Sequence, residues 1–270
     1  DIAGGKGGAC NYAGSGGTGG LGVGLYLAAT SGCTFSGNTL EATAGVGGAT
    51  NQYGRPGATQ VAYGVYFEDD ALENDFDLTN TFQGETIAYV HGAGAVVQGL
   101  DLSAAVSTTN LGKIVAVNAA DVQILDNVVA GMVGEAGQSG NENQIGKEGE
   151  IGAGIRILGC TGALLSGNTV TGVTGGIGGT GGFDRNGGPG TWGYGILIKD
   201  STDTALLDNE VSDVQAGPGG KGGYSHNGGV GGAAAGLFAT GDVGTVIQGT
   251  EVHTITGGGG GQGGPYGGGS

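Results

Sequence analysis

Short apolar strands opened by a small residue recur along the chain: Gly24-Leu25-Tyr26-Leu27, Gly64-Val65-Tyr66-Phe67, Gly154-Ile155-Arg156-Ile157, Gly195-Ile196-Leu197-Ile198 and Gly236-Leu237-Phe238-Ala239, with Lys113-Ile114-Val115-Ala116 as a variant. The last four start at 113, 154, 195 and 236, so 154−113, 195−154 and 236−195 are each 41. A second motif follows 14 residues later, as 127−113 and 38−24 show: Asn38-Thr39-Leu40, Asn127-Val128-Val129, Asn168-Thr169-Val170, Asn209-Glu210-Val211 and Thr250-Glu251-Val252. Two motifs held in one phase predict a solenoid, because strands this short bury a face only by stacking on neighbouring units.

Strand alternation places Leu25/Leu27, Ile155/Ile157 and Ile196/Ile198 on one face, one unit above the next. The Asn of the second motif falls at a turn, where Asn tolerates left-handed geometry. Stacked at about 4.8 Å per coil, Asn38, Asn127, Asn168 and Asn209 are candidates for an internal hydrogen-bonded ladder, with Asn38 farther down the stack. The outward middle residues of the first strand, Tyr26, Tyr66, Val115, Leu197 and Phe238, form an apolar stripe that Arg156 interrupts. Such a stripe marks a covered or binding surface, and the chain's own glycine-rich arms are the favoured cover.

Between the strands lie glycine tracts. Residues 175–190 run out through GGx triplets, turn at Phe183-Asp184-Arg185-Asn186 and return; residues 219–232 repeat this around Tyr224-Ser225-His226-Asn227. A three-residue period fits an extended helix with three residues per turn and no internal hydrogen bonds, and Gly at two of three positions lets such helices pack backbone to backbone. The expectation is all-β: one right-handed solenoid domain over 1–270 with polyglycine II-like lateral hairpins. Terminal glycine-rich arms occupy 1–21 and 257–270, and shorter coils without arms occupy 64–113. Neither end carries a polar cap, which predicts self-association through the solenoid ends or continuation into a longer parent chain.

Composition narrows function. The chain has 70 Gly among 270 residues, 12% charged residues and a net charge of −16. No Lys/Arg cluster exists to meet nucleic acid or an anionic membrane surface, and no apolar run is long enough to span a bilayer. Cys10, Cys33 and Cys160 form no CxxC pair; a Cys10–Cys33 bridge is compatible with an oxidising compartment. Glu68-Asp69-Asp70, with Glu73, Asp75 and Asp77 nearby, is the densest carboxylate group and a weak Ca²⁺ candidate. Asp126 and Asp208 occupy equivalent turns two coils apart, with Gly167 between them. His91, His226 and His253 lack metal-binding or catalytic spacing, so no catalytic residue is assigned and no cofactor is expected beyond that Ca²⁺.

The segments Leu164-Leu165-Ser166-Gly167-Asn168-Thr169-Val170 and Ala205-Leu206-Leu207-Asp208-Asn209-Glu210-Val211 resemble the right-handed parallel β-helix repeat proteins, the pectate-lyase-like superfamily, in its noncatalytic surface branch. The resemblance covers most of 22–256 and implies fold more than activity. The layered arms resemble the polyglycine II receptor-binding domains of some phage tail-fibre adhesins. Together these imply an extracellular or cell-surface structural protein that stacks head to tail into a filament. The alternative is an adhesin whose loop tips, Tyr12, Phe183, Tyr224, His226 and Tyr266, contact glycans or a receptor. Ice binding and polysaccharide cleavage rank below both, because neither a regular outward Thr array nor a catalytic constellation is evident.

Overall fold

The computed structural model describes residues 2–3, 6–7, 17–28, 30, 33–43, 45–48, 62–68, 75–76, 81–83, 86–91, 93–103, 107–108 and 112–266. Among these residues there is no helix; the chain is all-β, with parallel strands in stacked sheets. The first sheet has seven strands, in chain order Gly22–Leu27, Ala62–Glu68, Thr86–His91, Ile114–Val117, Gly152–Leu158, Gly193–Lys199 and Ala234–Thr240. A second sheet stacks Val96–Gln98, Gln123–Leu125, Leu164–Ser166, Ala205–Leu207 and Val246–Gln248. A third stacks Asp101–Leu102, Val128–Val133, Thr169–Thr174, Glu210–Gln215 and Glu251–Val252. From Thr86 onward each coil contributes to all three sheets and pairs with the coils before and after, Ser107–Thr108 and Ile255–Thr256 adding a second short strand to the third sheet. The earlier coils form separate small sheets, Thr34–Phe35 with Asp75–Phe76, and Ile2–Ala3 with Thr39–Thr43 and Thr81–Gln83.

The register follows the sequence repeat. Ile114 pairs with Ile155, Ile155 with Ile196 and Ile196 with Leu237, each a step of 41. Earlier steps are shorter: Val65 pairs with Ala88 and Ala88 with Ile114, so 88−65 is 23 and 114−88 is 26. Coils of both lengths share one core because the extra residues leave the spine after the third strand. Ile155, Leu165, Val170 and Val173 are fully buried within one coil, and Ile196, Leu206, Val211 and Val214 repeat the set above it. Burying each such side chain contributes roughly 1.5–3 kcal/mol.

The glycine-rich segments 134–151, 175–192 and 216–233 join the third strand of one coil to the first strand of the next, and 257–266 follows the last described third strand. Their backbones bond to one another every third residue. Gly175, Gly178 and Gly181 donate to the carbonyls of Gln215, Pro218 and Lys221 in the following segment. Gly176, Gly179 and Gly182 donate to those of Glu150, Lys147 and Gln144 in the preceding one. The third residue of each triplet points outward: Ile177 is 46% exposed while Gly178 and Gly179 are buried.

This network explains the composition. A Cβ on Gly178 would lie 1.9 Å from the Gly188 carbonyl oxygen, and one on Gly179 would lie 2.1 Å from that of Gln138. The first glycine of the triplet is thus demanded by the segment's own return run, and the second by the preceding segment. Residues 134–140 confirm the logic by exception. They keep Gly134, Gly137 and Gly140 but carry Glu135 and Gln138 at the second positions, and the coil before them is a short one.

Replacing Gly179 by Ala is expected to destabilise the fold by about 2 kcal/mol, the magnitude of overpacking a close contact, and to raise hydrogen exchange at the Gly137 and Gly140 amides. Thr180→Ala, at the outward position, is expected to change neither; equal effects in thermal denaturation and exchange would contradict this packing.

Candidate interaction surfaces

Three asparagines form a buried column at the turn between the second and third strands. Asn127, Asn168 and Asn209 are 0%, 0% and 2% exposed. The Asn127 backbone N–H and Nδ2 donate to Asn168 Oδ1 at 3.1 and 2.9 Å, and Asn168 repeats both bonds to Asn209 Oδ1 at 3.1 and 2.9 Å. The second Nδ2 hydrogen reaches back a coil, from Asn168 to the Ile124 carbonyl at 2.8 Å and from Asn209 to that of Leu165 at 3.0 Å. Each Oδ1 thereby satisfies a turn N–H that the sheets leave unpaired, while Nδ2 ties the turn to a strand carbonyl one coil back. The column begins where the Leu100 N–H donates to Asn127 Oδ1 at 3.0 Å. Asn38 lies outside it: Leu100 intervenes, and Asn38 Nδ2 donates to its own turn, to the Ser36 carbonyl at 3.2 Å.

A second column went unnoticed in the sequence because its residues differ in type. The Cys160 N–H donates to Ser201 Oγ at 3.1 Å, and the Ser201 N–H to Asp242 Oδ1 at 2.7 Å. Only the 41-residue spacing could have exposed it. Cys160 itself is buried, and burial pushes its thiol up. Cys10 lies outside the described residues.

The turns also explain the spacing of Asp126 and Asp208. Asp126, Gly167, Asp208 and Gly249 stack in one position with φ of 53°, 65°, 52° and 62°; Asp121, Gly162, Asp203 and Gly244 stack in another with 53°, 68°, 52° and 75°. This left-handed region admits Gly, Asn and Asp. Each carboxylate leans over the next coil: a Cβ on Gly167 would lie 2.3 Å from Asp126 Oδ1, and one on Gly249 2.0 Å from Asp208 Oδ1. Two successive Asp residues would collide and set like charges one coil apart, so Asp alternates with Gly. The alternation is a packing solution and brings no carboxylate pair together. Among the described residues no group of three His, Cys, Asp or Glu side chains could hold a metal ion. Asp69 and Asp70 lie outside the described residues, as does the side chain of Glu68. His91 Nδ1 lies 3.0 Å from the Val117 carbonyl, and His253 Nε2 3.2 Å from Glu251 Oε2.

Lys113 sits in the core. It is 0% exposed, and its ammonium donates to the Leu102 carbonyl at 2.9 Å and to that of Ala130. It occupies the level that Gly154, Gly195 and Gly236 hold in later coils, where Val170, Val211 and Val252 fill the space. Burial pulls its pKa down from 10.5 to about 8.

The outward row of the first sheet is not a uniform exposed stripe. Tyr26 stacks on Tyr66 at 5.2 Å and Tyr66 on Tyr89 at 5.2 Å, near-parallel at 4° and 15°. Tyr63 packs against both, and burial, then Tyr89 and Tyr66, raises its pKa to about 12. Tyr26 is 54% exposed, but Val115 is fully buried and Leu197 nearly so. Ile151 and Trp192, at the ends of two glycine-rich segments, pack with Tyr194, Leu197 and Phe238 over this half of the row. Sequence reasoning missed Tyr63, Tyr89, Trp192 and Tyr194, because their contacts arise between coils.

The third surface is the outer end of the glycine-rich segments. Phe183, Tyr224 and Tyr266 are 62%, 44% and 74% exposed. Phe183 and Tyr224 stack at 5.3 Å and 9°, and Tyr266 tilts against Tyr224 at 5.0 Å. A concavity of about 300 Å³ opens beside them, lined by Thr180, Phe183, Lys221, Tyr224, Pro265 and the intervening glycine backbone. His226 is half-buried at the same end. Tyr12 lies outside the described residues.

No protein-family model, no curated protein and no solved structure matches this chain.

Asn168→Ala removes an acceptor shared by two donors and leaves the buried Asn127 N–H without its partner, so a loss of about 3 kcal/mol is expected in denaturant unfolding; a loss equal to that of a surface Asn→Ala change would refute the column's role. Because Lys113 has a folded pKa below its unfolded one, the unfolded chain binds more protons between pH 8 and 10.5. Lys113 therefore contributes a rise in stability with pH across that window, opposed at its upper end by Cys160 and Tyr63, whose folded pKa values are raised. Lys113→Met is expected to remove that contribution, so that stability measured in unfolding titrations falls relative to the parent chain as pH rises.

Proposed function

We propose that the chain is an extracellular structural module: a right-handed parallel β-helix, similar to the noncatalytic surface proteins of the pectate-lyase-like superfamily, that stacks end to end through its coil faces. Right-handedness rests on the strong general preference of parallel crossover connections. In this reading the glycine-rich segments are polyglycine II hairpins, supported by their three-residue hydrogen-bond period and buried glycine pairs. They form a stiff plate that braces one side of the spine without a core of its own.

The observation that carries the reading is the face of the coil Ala234–Thr256. Ile247, Val252 and Ile255 stand at the levels of Leu206, Val211 and Val214, which are fully buried, yet they are 53%, 42% and 39% exposed. Val243 and Val246 on the same coil are 68% and 54% exposed. The polar columns reach this face as well: Asp242 Oδ2 and Thr250 Oγ1 are buried without a hydrogen-bond partner. Apolar area and open backbone edges together form a surface that another coil would cover. Its left-handed turn positions carry Gly241, Gly244 and Gly249 where the preceding coil carries Asp200, Asp203 and Asp208, which leaves Asp242 as the turn carboxylate at this face.

The purified chain is expected to form concentration-dependent rods or fibres in sedimentation and negative-stain images. Ile247→Glu with Val252→Glu is expected to leave a folded monomer. A wild-type chain that stays monodisperse and monomeric at high concentration would sink the proposal.

A further inference from the structure

The outer end of the glycine-rich segments has a different chemistry from the rest of the molecule. The chain carries a net charge of −16. The outer segments carry Asp184, Arg185 and Lys221, while the preceding segment 134–151 carries Glu135, Glu142, Glu148 and Glu150 against Lys147. Among the described residues Lys221 is the one charged residue lining the concavity of about 300 Å³, beside Thr180, Phe183, Tyr224 and Pro265.

The tip is also held in place. Tyr266 donates its N–H to the Tyr224 carbonyl at 3.1 Å, Gly181 to the Lys221 carbonyl at 2.8 Å and Gly223 to the Arg185 carbonyl at 2.8 Å. Arg185 Nε is held by the Asn143 carbonyl at 3.0 Å, which leaves Lys221 as the cation that lines the concavity. A preformed surface avoids the ordering cost that a loop meets on binding. The exposed rings of Phe183 and Tyr224 have no partner in the core and stack on each other, so the apolar surface they offer beside the concavity is their edges and the outer face of Phe183.

We infer that this concavity binds a carboxylated sugar, its C–H face against Phe183 and Tyr224 and its carboxylate against the Lys221 ammonium. Hydroxyl groups meet Thr180 and the glycine backbone. The site does not depend on end-to-end stacking, because it lies on the lateral excursions and not on a coil face.

The test is saturation-transfer NMR and calorimetry on the full chain with sialyllactose, trigalacturonate and neutral lactose. At least one carboxylated sugar is expected to bind about tenfold more tightly than lactose and to weaken as salt is raised. Lys221→Gln is expected to abolish that preference with unchanged thermal unfolding, and Tyr224→Ala to abolish binding of every sugar while circular dichroism shows the fold intact. Binding that ignores the carboxylate, binding that survives both substitutions, or no binding of any of the three at about 10 mM would each overturn the assignment.

Discussion

Everything in this molecule answers to one constraint: successive coils lie about 4.8 Å apart, so each residue's nearest neighbours along the axis are the equivalents of itself. A position must be chosen for compatibility with its own repeats. Aliphatic positions pass this test readily, since Ile155 packs on Ile114 and Ile196 without penalty. Asparagine passes it because one amide can donate one way and accept the other. Aspartate fails it, and the turns respond with Asp–Gly alternation.

The same constraint rules the lateral excursions, where it acts on backbone. With no room for a core, those segments approach until carbonyl oxygens occupy the sites of absent side chains. Glycine there is a steric requirement, and the high entropy it loses on ordering is offset by hydrogen bonds shared among three neighbouring runs. Glycine richness, ordinarily a sign of flexibility, here accompanies a closely packed and hydrogen-bonded backbone.

The spine was largely legible in the sequence, because a 41-residue period with two motifs in phase translates directly into strand register. The buried column of Asn127, Asn168 and Asn209 was legible for the same reason. What escaped were features that exist only between unlike residues in adjacent coils. Lys113 looks like a surface residue opening a strand, and its burial depends on the carbonyls of Leu102 and Ala130, one in a short coil and one in its own. Val115 and Leu197 read as outward residues, and outward they are, but Ile151 and Trp192 pack over the neighbouring cluster. Asn38 matches the ladder motif locally and still stands apart, since local sequence cannot reveal that Leu100 interrupts the column.

The alternating turns bear on how such a chain can lengthen over evolutionary time. Duplicating the unit that carries Asp208 would set one carboxylate turn directly on another, whereas duplicating it together with its glycine-turned neighbour would preserve the alternation of Asp and Gly. Growth by pairs of units, 82 residues when each step is 41, is therefore the path of least resistance. Odd-numbered insertions would require a compensating substitution in each affected turn.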